Sequence, residues 1–300
     1  MDVIYRYDPY APLKPRTFQT AAAARTELLS GNDRFAGIVR KMQERTLGGG
    51  NAEPIVIPVC PMSMGLPLYE GAMPTQAPFA VVLGCSDARV PTEAVFDQSF
   101  NDLFVLRIAG NVLGAECLGS LHYAVRHLGS QLQLVVVLGH SKCGAVTAAV
   151  DAYLSPEEFS DIAFTFSLRS LVDQIQMAVR GAARAIEKRA GEDFKNHPEY
   201  RSVLVTVAVF VNAAISALEL RRELDRLGGK TPEVMFGVYD FATLSVQSHP
   251  IAVGDQRPAR LQAGPKTADD LIAYASSVVD ELFTLQPDLM FDLCRMTVKF

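Results

Sequence analysis

Two short stretches, Cys85-Ser-Asp-Ala-Arg89 and His140-Ser-Lys-Cys143, carry the residues best equipped for chemistry in this 300-residue chain. Each follows an apolar, β-branched run ending in glycine, Phe79-Ala-Val-Val-Leu-Gly84 and Leu132-Gln-Leu-Val-Val-Val-Leu-Gly139. Near-continuous apolar runs of this length mark strands buried on both faces of a parallel sheet. The carboxyl ends of such strands are where open α/β sheets bind ligands. Two thiols, an imidazole and a carboxylate are therefore expected at strand ends. That donor set suits a zinc ion, which takes Cys, His and Asp ligands tetrahedrally and, in a catalytic site, keeps or frees a position for water.

The spacing inside each stretch adds to this. In Cys85-x-Asp87-x-Arg89 alternate side chains of an extended loop point the same way, so Asp87 and Arg89 can meet in a bidentate ion pair beside the metal. That pairing leaves three protein ligands, Cys85, His140 and Cys143, and a fourth position for water; release of Arg89 lets Asp87 close the site. His140 and Cys143 are three apart and reach one ion from a tight turn entering a helix, with Gly139 and Gly144 beside them. The backbone N–H of Gly144, near a helix N-terminus, is placed to receive negative charge developing on a substrate. The alternative is a closed zinc site that only staples two loops. A stapling site has no use for Arg89 beside the carboxylate, so catalysis is the preferred reading.

The elements that position these residues alternate. Strand 79–84 leads to the Cys85 loop and a short helix near 91–97; strand 103–108, helix 117–128, strand 132–138 and a helix opening at Cys143 follow. Alternation of this kind predicts an α/β fold with a central, mainly parallel sheet flanked by helices. Residues 1–47 read as an N-terminal helical arm, with Ser30-Gly-Asn-Asp a break between two helices. Residues 48–249 read as the zinc-binding core, and within it 48–78, dense in Gly, Pro and Met, as a long, mostly irregular connection. Helical patterns recur over 165–190 and 207–227, and Val234–Tyr239 is the final strand expected. Residues 250–300 read as a C-terminal extension with a helix over Ala268–Phe283.

Composition narrows the function classes. Apolar residues make up 49% and charged residues 20%, enough to bury a sizeable core. A net charge of -5 with dispersed basic residues gives no nucleic-acid surface. Met1–Asp8 carries no basic region followed by an apolar one, and Cys60, Cys85, Cys117, Cys143 and Cys294 are odd in number and widely spaced. The expectation is a cytoplasmic protein without a disulfide framework. The apolar stretch Val203–Leu220 has the length of a membrane span. It contains Thr206, Asn212, Ser216 and Glu219 and runs into the charged Arg221–Arg226, so a buried core helix and no membrane partner are expected.

Taken in order, several segments resemble β-class carbonic anhydrases over roughly residues 17–245. They are Glu27-Leu-Leu-Ser-Gly-Asn-Asp-Arg-Phe35, Cys85–Pro91, Asp102-Leu-Phe-Val-Leu-Arg107, Ala109-Gly-Asn111, Gly119-Ser-Leu-His-Tyr-Ala-Val125, Gly139-His-Ser-Lys-Cys-Gly144 and Gly237-Val-Tyr-Asp240. The resemblance implies one zinc per chain on Cys85, His140 and Cys143, with Asp87 joining only in a closed state. It implies an Asp87–Arg89 dyad, and a pocket for CO2 and bicarbonate from Gln76, Phe104 and Tyr123 at a dimer interface, in a homodimer or dimer of dimers. The reaction implied is hydration of CO2: zinc lowers the pKa of bound water from about 15.7 to near 7, and Asp87 orients the hydroxide. Three positions depart from the family pattern. Ile108 stands where Asn commonly follows the strand Arg, His122 where Glu often precedes the Tyr, and Val82 where some members carry the Trp of a regulatory bicarbonate pocket. Arg107 and Tyr239 of that pocket are present, but the chain has no Trp, so the constitutively open type is expected. The alternatives are a carbonyl sulfide or carbon disulfide hydrolase on the same zinc site, and a non-catalytic zinc-bound scaffold.

Overall fold

The computed structural model describes residues 3–7, 17–48, 54–59, 71, 73, 75–162, 164–229 and 231–289. In chain order these give β1 (Val3–Tyr7), α1 (Ala21–Gly48), β2 (Ile55–Val59), β3 (Ala80–Gly84), α2 (Thr92–Val95), β4 (Leu103–Arg107) and α3 (Ala115–Leu128). Then come β5 (Leu134–His140), α4 (Gly144–Leu154), α5 (Phe159–Ile162), α6 (Phe166–Ala190), α7 (Tyr200–Leu227), β6 (Glu233–Tyr239), β7 (Val246–Gln247), β8 (Gln262–Ala263) and α8 (Ala268–Leu285).

β3 and β5 are buried along their whole length. They lie side by side in a sheet of order β4-β3-β5-β6-β7, with β8 also pairing to β6. The four longer strands run parallel, and β7 and β8 add to β6 antiparallel. Side chains of period two feed two cores. Val81, Leu83, Val135, Val137, Val234 and Phe236 face the layer of α4, α6, α7 and α8. Ala80, Val82, Leu134, Val136, Leu138 and Met235 face α1 and α2. The α/β architecture with a mainly parallel central sheet is thus the observed one.

α7 is long and apolar enough to cross a membrane, yet most of its apolar window is buried within the chain, against β5, β6, α6 and α8. It is the core helix expected, and it begins seven residues earlier than the pattern suggested, at Tyr200.

Two local expectations are corrected. α1 does not break at Ser30-Gly-Asn-Asp but runs unbroken from Ala21 to Gly48. Gly31 serves a close approach instead: a Cβ there would stand 1.9 Å from the Phe96 carbonyl oxygen. Beside it the buried Asn32 donates to the carbonyls of Val95 and Leu244 and accepts from the Val246 N–H. Turn-like residues in this helix are therefore docking residues. Within the 48–78 connection, expected to be mostly irregular, β2 pairs parallel with β1 in the register Val3↔Ile55 to Tyr7↔Val59. Residues 49–53, 60–70, 72 and 74 of that connection lie outside the described residues. Nor is β6 the last strand: the chain beyond 250 returns as β8, and Arg221 donates to the carbonyls of Val234 and Gly264 on either side of the join.

Candidate metal centre

The parallel register sets Gly84 of β3 against Leu138 of β5. Cys85 is the first residue past one strand and His140 the last of its neighbour. After His140 the chain turns back within three residues because Lys142 adopts a left-handed conformation, φ 55°. Cys143 then stands at the N-cap of α4. The turn is tied to the end of β6: the Ser141 N–H donates to the Tyr239 carbonyl at 2.9 Å, and Ser141 Oγ accepts from the Phe241 N–H at 3.0 Å. As a result the ligand atoms of Cys85, His140 and Cys143 lie within 4.8 Å of one another, and all three residues are buried.

The donor chemistry of this group fits zinc. His140 Nδ1 lies 3.0 Å from the Ser141 carbonyl oxygen, which accepts only if Nδ1 carries the proton. That tautomer leaves a lone pair on Nε2. His140 Nε2 is buried without a hydrogen-bond partner among the described residues, a costly arrangement unless something binds it. The two thiols share a hydrogen bond, which pulls Cys85 below the ordinary thiol range and pushes Cys143 above it. Cys85 Sγ also accepts the Gly110 N–H at 3.3 Å. One thiolate is therefore already favoured, and a dication favours both.

Asp87 is turned to Arg89. Arg89 donates its backbone N–H at 2.9 Å and Nε at 3.0 Å to Oδ1, and Nη2 at 2.7 Å to Oδ2. The hydrogen-bonded guanidinium holds the Asp87 carboxyl well below the usual carboxylate range. Oδ2 remains 3.8 Å from His140 Nε2. Arg89 is held in turn by the Phe241 ring, 4.5 Å from its guanidinium carbon. Arg107 donates to the carbonyls of Cys85 at 3.0 Å and Asp87 at 2.6 Å, fixing the loop that carries both. Phe241 was not among the residues read from the sequence; its one signal is its place beside Gly237-Val-Tyr-Asp240.

Of the remaining expected site residues Gly144 adjoins the ligand Cys143, while Gln76, Phe104 and Tyr123 are not drawn to this group among the described residues. Gly144 opens α4 with open space beyond its Cα. Gln76 is exposed and lines a shallow recess with Pro78, Phe100, Asn101 and Leu103. Phe104 is half-buried on β4, paired with Val81, and Tyr123 on α3 is 49% exposed. No hydrogen bond or ring contact joins Gln76, Phe104 or Tyr123 to the cysteine–histidine group among the described residues. Of the departures from the pattern, His122 Nε2 lies 3.1 Å from Glu223 Oε1, Ile108 is half-buried, and Val82 is fully buried between Val105 and Val136.

A sequence model of the family described as carbonic anhydrase matches residues 80–243, more than half of the chain and all of the strand ends just described. The chain belongs to the carbonic anhydrase family. A carbonic anhydrase of Mycolicibacterium smegmatis is 33% identical over 177 residues, which cover 59% of this chain and 76% of that protein. Carbonic anhydrase 2 of Mycobacterium tuberculosis is 52% identical over 77 residues, 26% of this chain and 36% of that one. The solved β-carbonic anhydrase CcaA aligns over 65% of this chain and 80% of its own, at 20% identity and a TM-score of 0.44. The sequence matches carry the family, and the β class read from the motifs stands with them. The chain is accordingly an enzyme of the carbonic anhydrase type.

Proposed function

We propose that the chain catalyses reversible hydration of CO2 to bicarbonate and a proton, with one zinc ion per chain held by Cys85, His140 and Cys143. The observation that carries this reading is the buried Nε2 of His140, without a hydrogen-bond partner among the described residues and set among two buried thiols, 3.8 Å from an Asp87 that Arg89 holds aside. Zinc at this position supplies a Lewis acid that brings the pKa of coordinated water from about 15.7 to near 7.

The chain's own residues do the rest. Asp87, kept ionised by Arg89, is an acceptor without a proton to give, so it takes the O–H of the attacking water and sets its direction. Arg89 keeps Asp87 from ligation, and the Phe241 ring and the carbonyl of Lys142, 3.5 Å from Nη2, hold Arg89 in place. The Gly144 N–H, at the start of a helix, receives negative charge building on a CO2 oxygen. Gln76, Phe104 and Tyr123 complete the pocket when a second copy packs against this face, in a homodimer or dimer of dimers. The exposure of Gln76 and Tyr123, and the position of β4 at the sheet edge, support that assembly. The cytoplasm is the proposed location, supported by Cys117, which is not in a disulfide among the described residues.

Stripping the metal from purified protein with a chelator is expected to abolish CO2 hydration, and zinc is expected to restore it. Hydration that survives complete removal of metal would overturn the proposal.

A further inference from the structure

The buried polar residues of α7 reach across to the turn behind Cys85. Asn212 and Ser216 sit one helical turn apart on α7, 3% and 4% exposed, in an otherwise apolar segment. Residues four apart share a helix face, and these two donate to successive carbonyls of one turn. Asn212 Nδ2 donates to the Gly110 carbonyl at 2.8 Å and Ser216 Oγ to the Asn111 carbonyl at 3.1 Å.

That turn reaches the metal centre. The Asn111 N–H donates to the Ile108 carbonyl at 3.0 Å, while the Gly110 N–H is left out of the turn and donates to Cys85 Sγ. The aim of that N–H depends on Gly110 holding φ 67°, a conformation glycine adopts without strain. The turn is also wedged: a Cβ on Gly110 would lie 2.7 Å from Ile175 Cδ1 and 3.1 Å from Ala145 Cβ. With packing on one side, the hydrogen bond from Asn212 fixes the other side of the same residue.

We propose that Asn212 is a positioning residue for the metal centre: by clamping the Gly110 carbonyl it holds the Gly110 N–H on the Cys85 sulfur and so sets how firmly that thiolate keeps zinc. The inference rests on the reading of Cys85, His140 and Cys143 as the zinc ligands. Ser216 clamps the next peptide, farther from the sulfur, and supports the same turn.

The test uses the full chain loaded with zinc or cobalt(II). Asn212→Leu removes the donor at similar size. It is expected to speed zinc loss to a chelator about tenfold, in the range by which outer-shell partners alter metal affinity. In the cobalt form it is expected to move the sulfur-to-cobalt charge-transfer band to longer wavelength, since a thiolate stripped of its N–H donor is easier to oxidise. Leu224→Ala, a core truncation three turns along the same helix, is expected to lower stability without moving the band. If Asn212→Leu does not fold, Asn212→Ser, too short to reach the carbonyl, is read the same way. A folded Asn212 variant with an unmoved band and zinc loss within about twofold of the parent would overturn the proposal, as would an equal band shift in Leu224→Ala. Failure of the parent protein to bind either ion would instead overturn the metal centre itself.

Discussion

Replacing Asp87 by Asn tests the division of labour between binding the metal and directing the reaction. The substitution keeps the side-chain shape but removes the charge and one acceptor oxygen. Arg89 then loses a carboxylate partner at 2.7 and 3.0 Å, and the amide no longer offers a fixed acceptor for the attacking water. Loss of one preorganised polar group at a reacting centre costs about 2.7–4 kcal/mol of transition-state stabilisation, on the order of 100- to 1,000-fold in kcat. Zinc content is expected to hold, because Cys85, His140 and Cys143 are untouched and Asp87 is paired elsewhere. The assay is stopped-flow CO2 hydration with zinc determined on the same preparation. Equal loss of zinc and activity would show Asp87 to be a structural ligand, and activity within about threefold of the parent would remove it from the reaction.

Other consequences concern the scaffold. Asn32→Ala leaves the carbonyls of Val95 and Leu244 and the Val246 N–H without their partner. At about 1–3 kcal/mol per orphaned buried group a loss of roughly 3 kcal/mol is expected in urea unfolding, and a loss below about 1 kcal/mol would refute the docking role. For Gly31→Ala, helix propensity predicts a gain of about 1 kcal/mol, but the new methyl would fall 1.9 Å from the Phe96 carbonyl oxygen. Overpacking costs about 1–3 kcal/mol, so net destabilisation is expected, and a stabilised variant would contradict the close approach. Burial holds the His249 imidazole below its ordinary value, with Glu281 raising it and Arg260 lowering it less strongly. The unfolded chain, with a His value of about 6.5, takes up the proton first. The stability His249 contributes is therefore complete above about pH 6.5 and drains away as pH falls through the folded value. His249→Gln is expected to flatten that acid limb in urea midpoints between about pH 7.5 and 5.5, and identical slopes in both proteins would refute it.

The sequence made the strands that carry the site legible because burial on both faces leaves an unmistakable run, as in Val135-Val-Val-Leu138. Their glycine ends marked where Cys85 and His140 would stand, and adjacency of β3 and β5 then brought the three donors together. What stayed hidden depends on partners far along the chain. Gly31 and Asn32 look like a helix break until Phe96 and Val246 are placed against them. The pairing of β1 with β2 spans some fifty residues and has no local signature, and two-residue strands such as β7 and β8 are too short to show a period. Asn212 and Ser216 were visible as misfits in an apolar run, but the carbonyls they serve lie 102 and 105 residues away.

Stopped-flow CO2 hydration on purified protein, with zinc measured on the same sample, from about pH 6 to 9, spans the value expected for water on catalytic zinc and decides whether this chain is a zinc-dependent CO2 hydratase. About one zinc per chain and fast hydration that persists below neutral pH are expected, as an Asp87 held by Arg89 requires. Full zinc occupancy without CO2 hydration would contradict that reading.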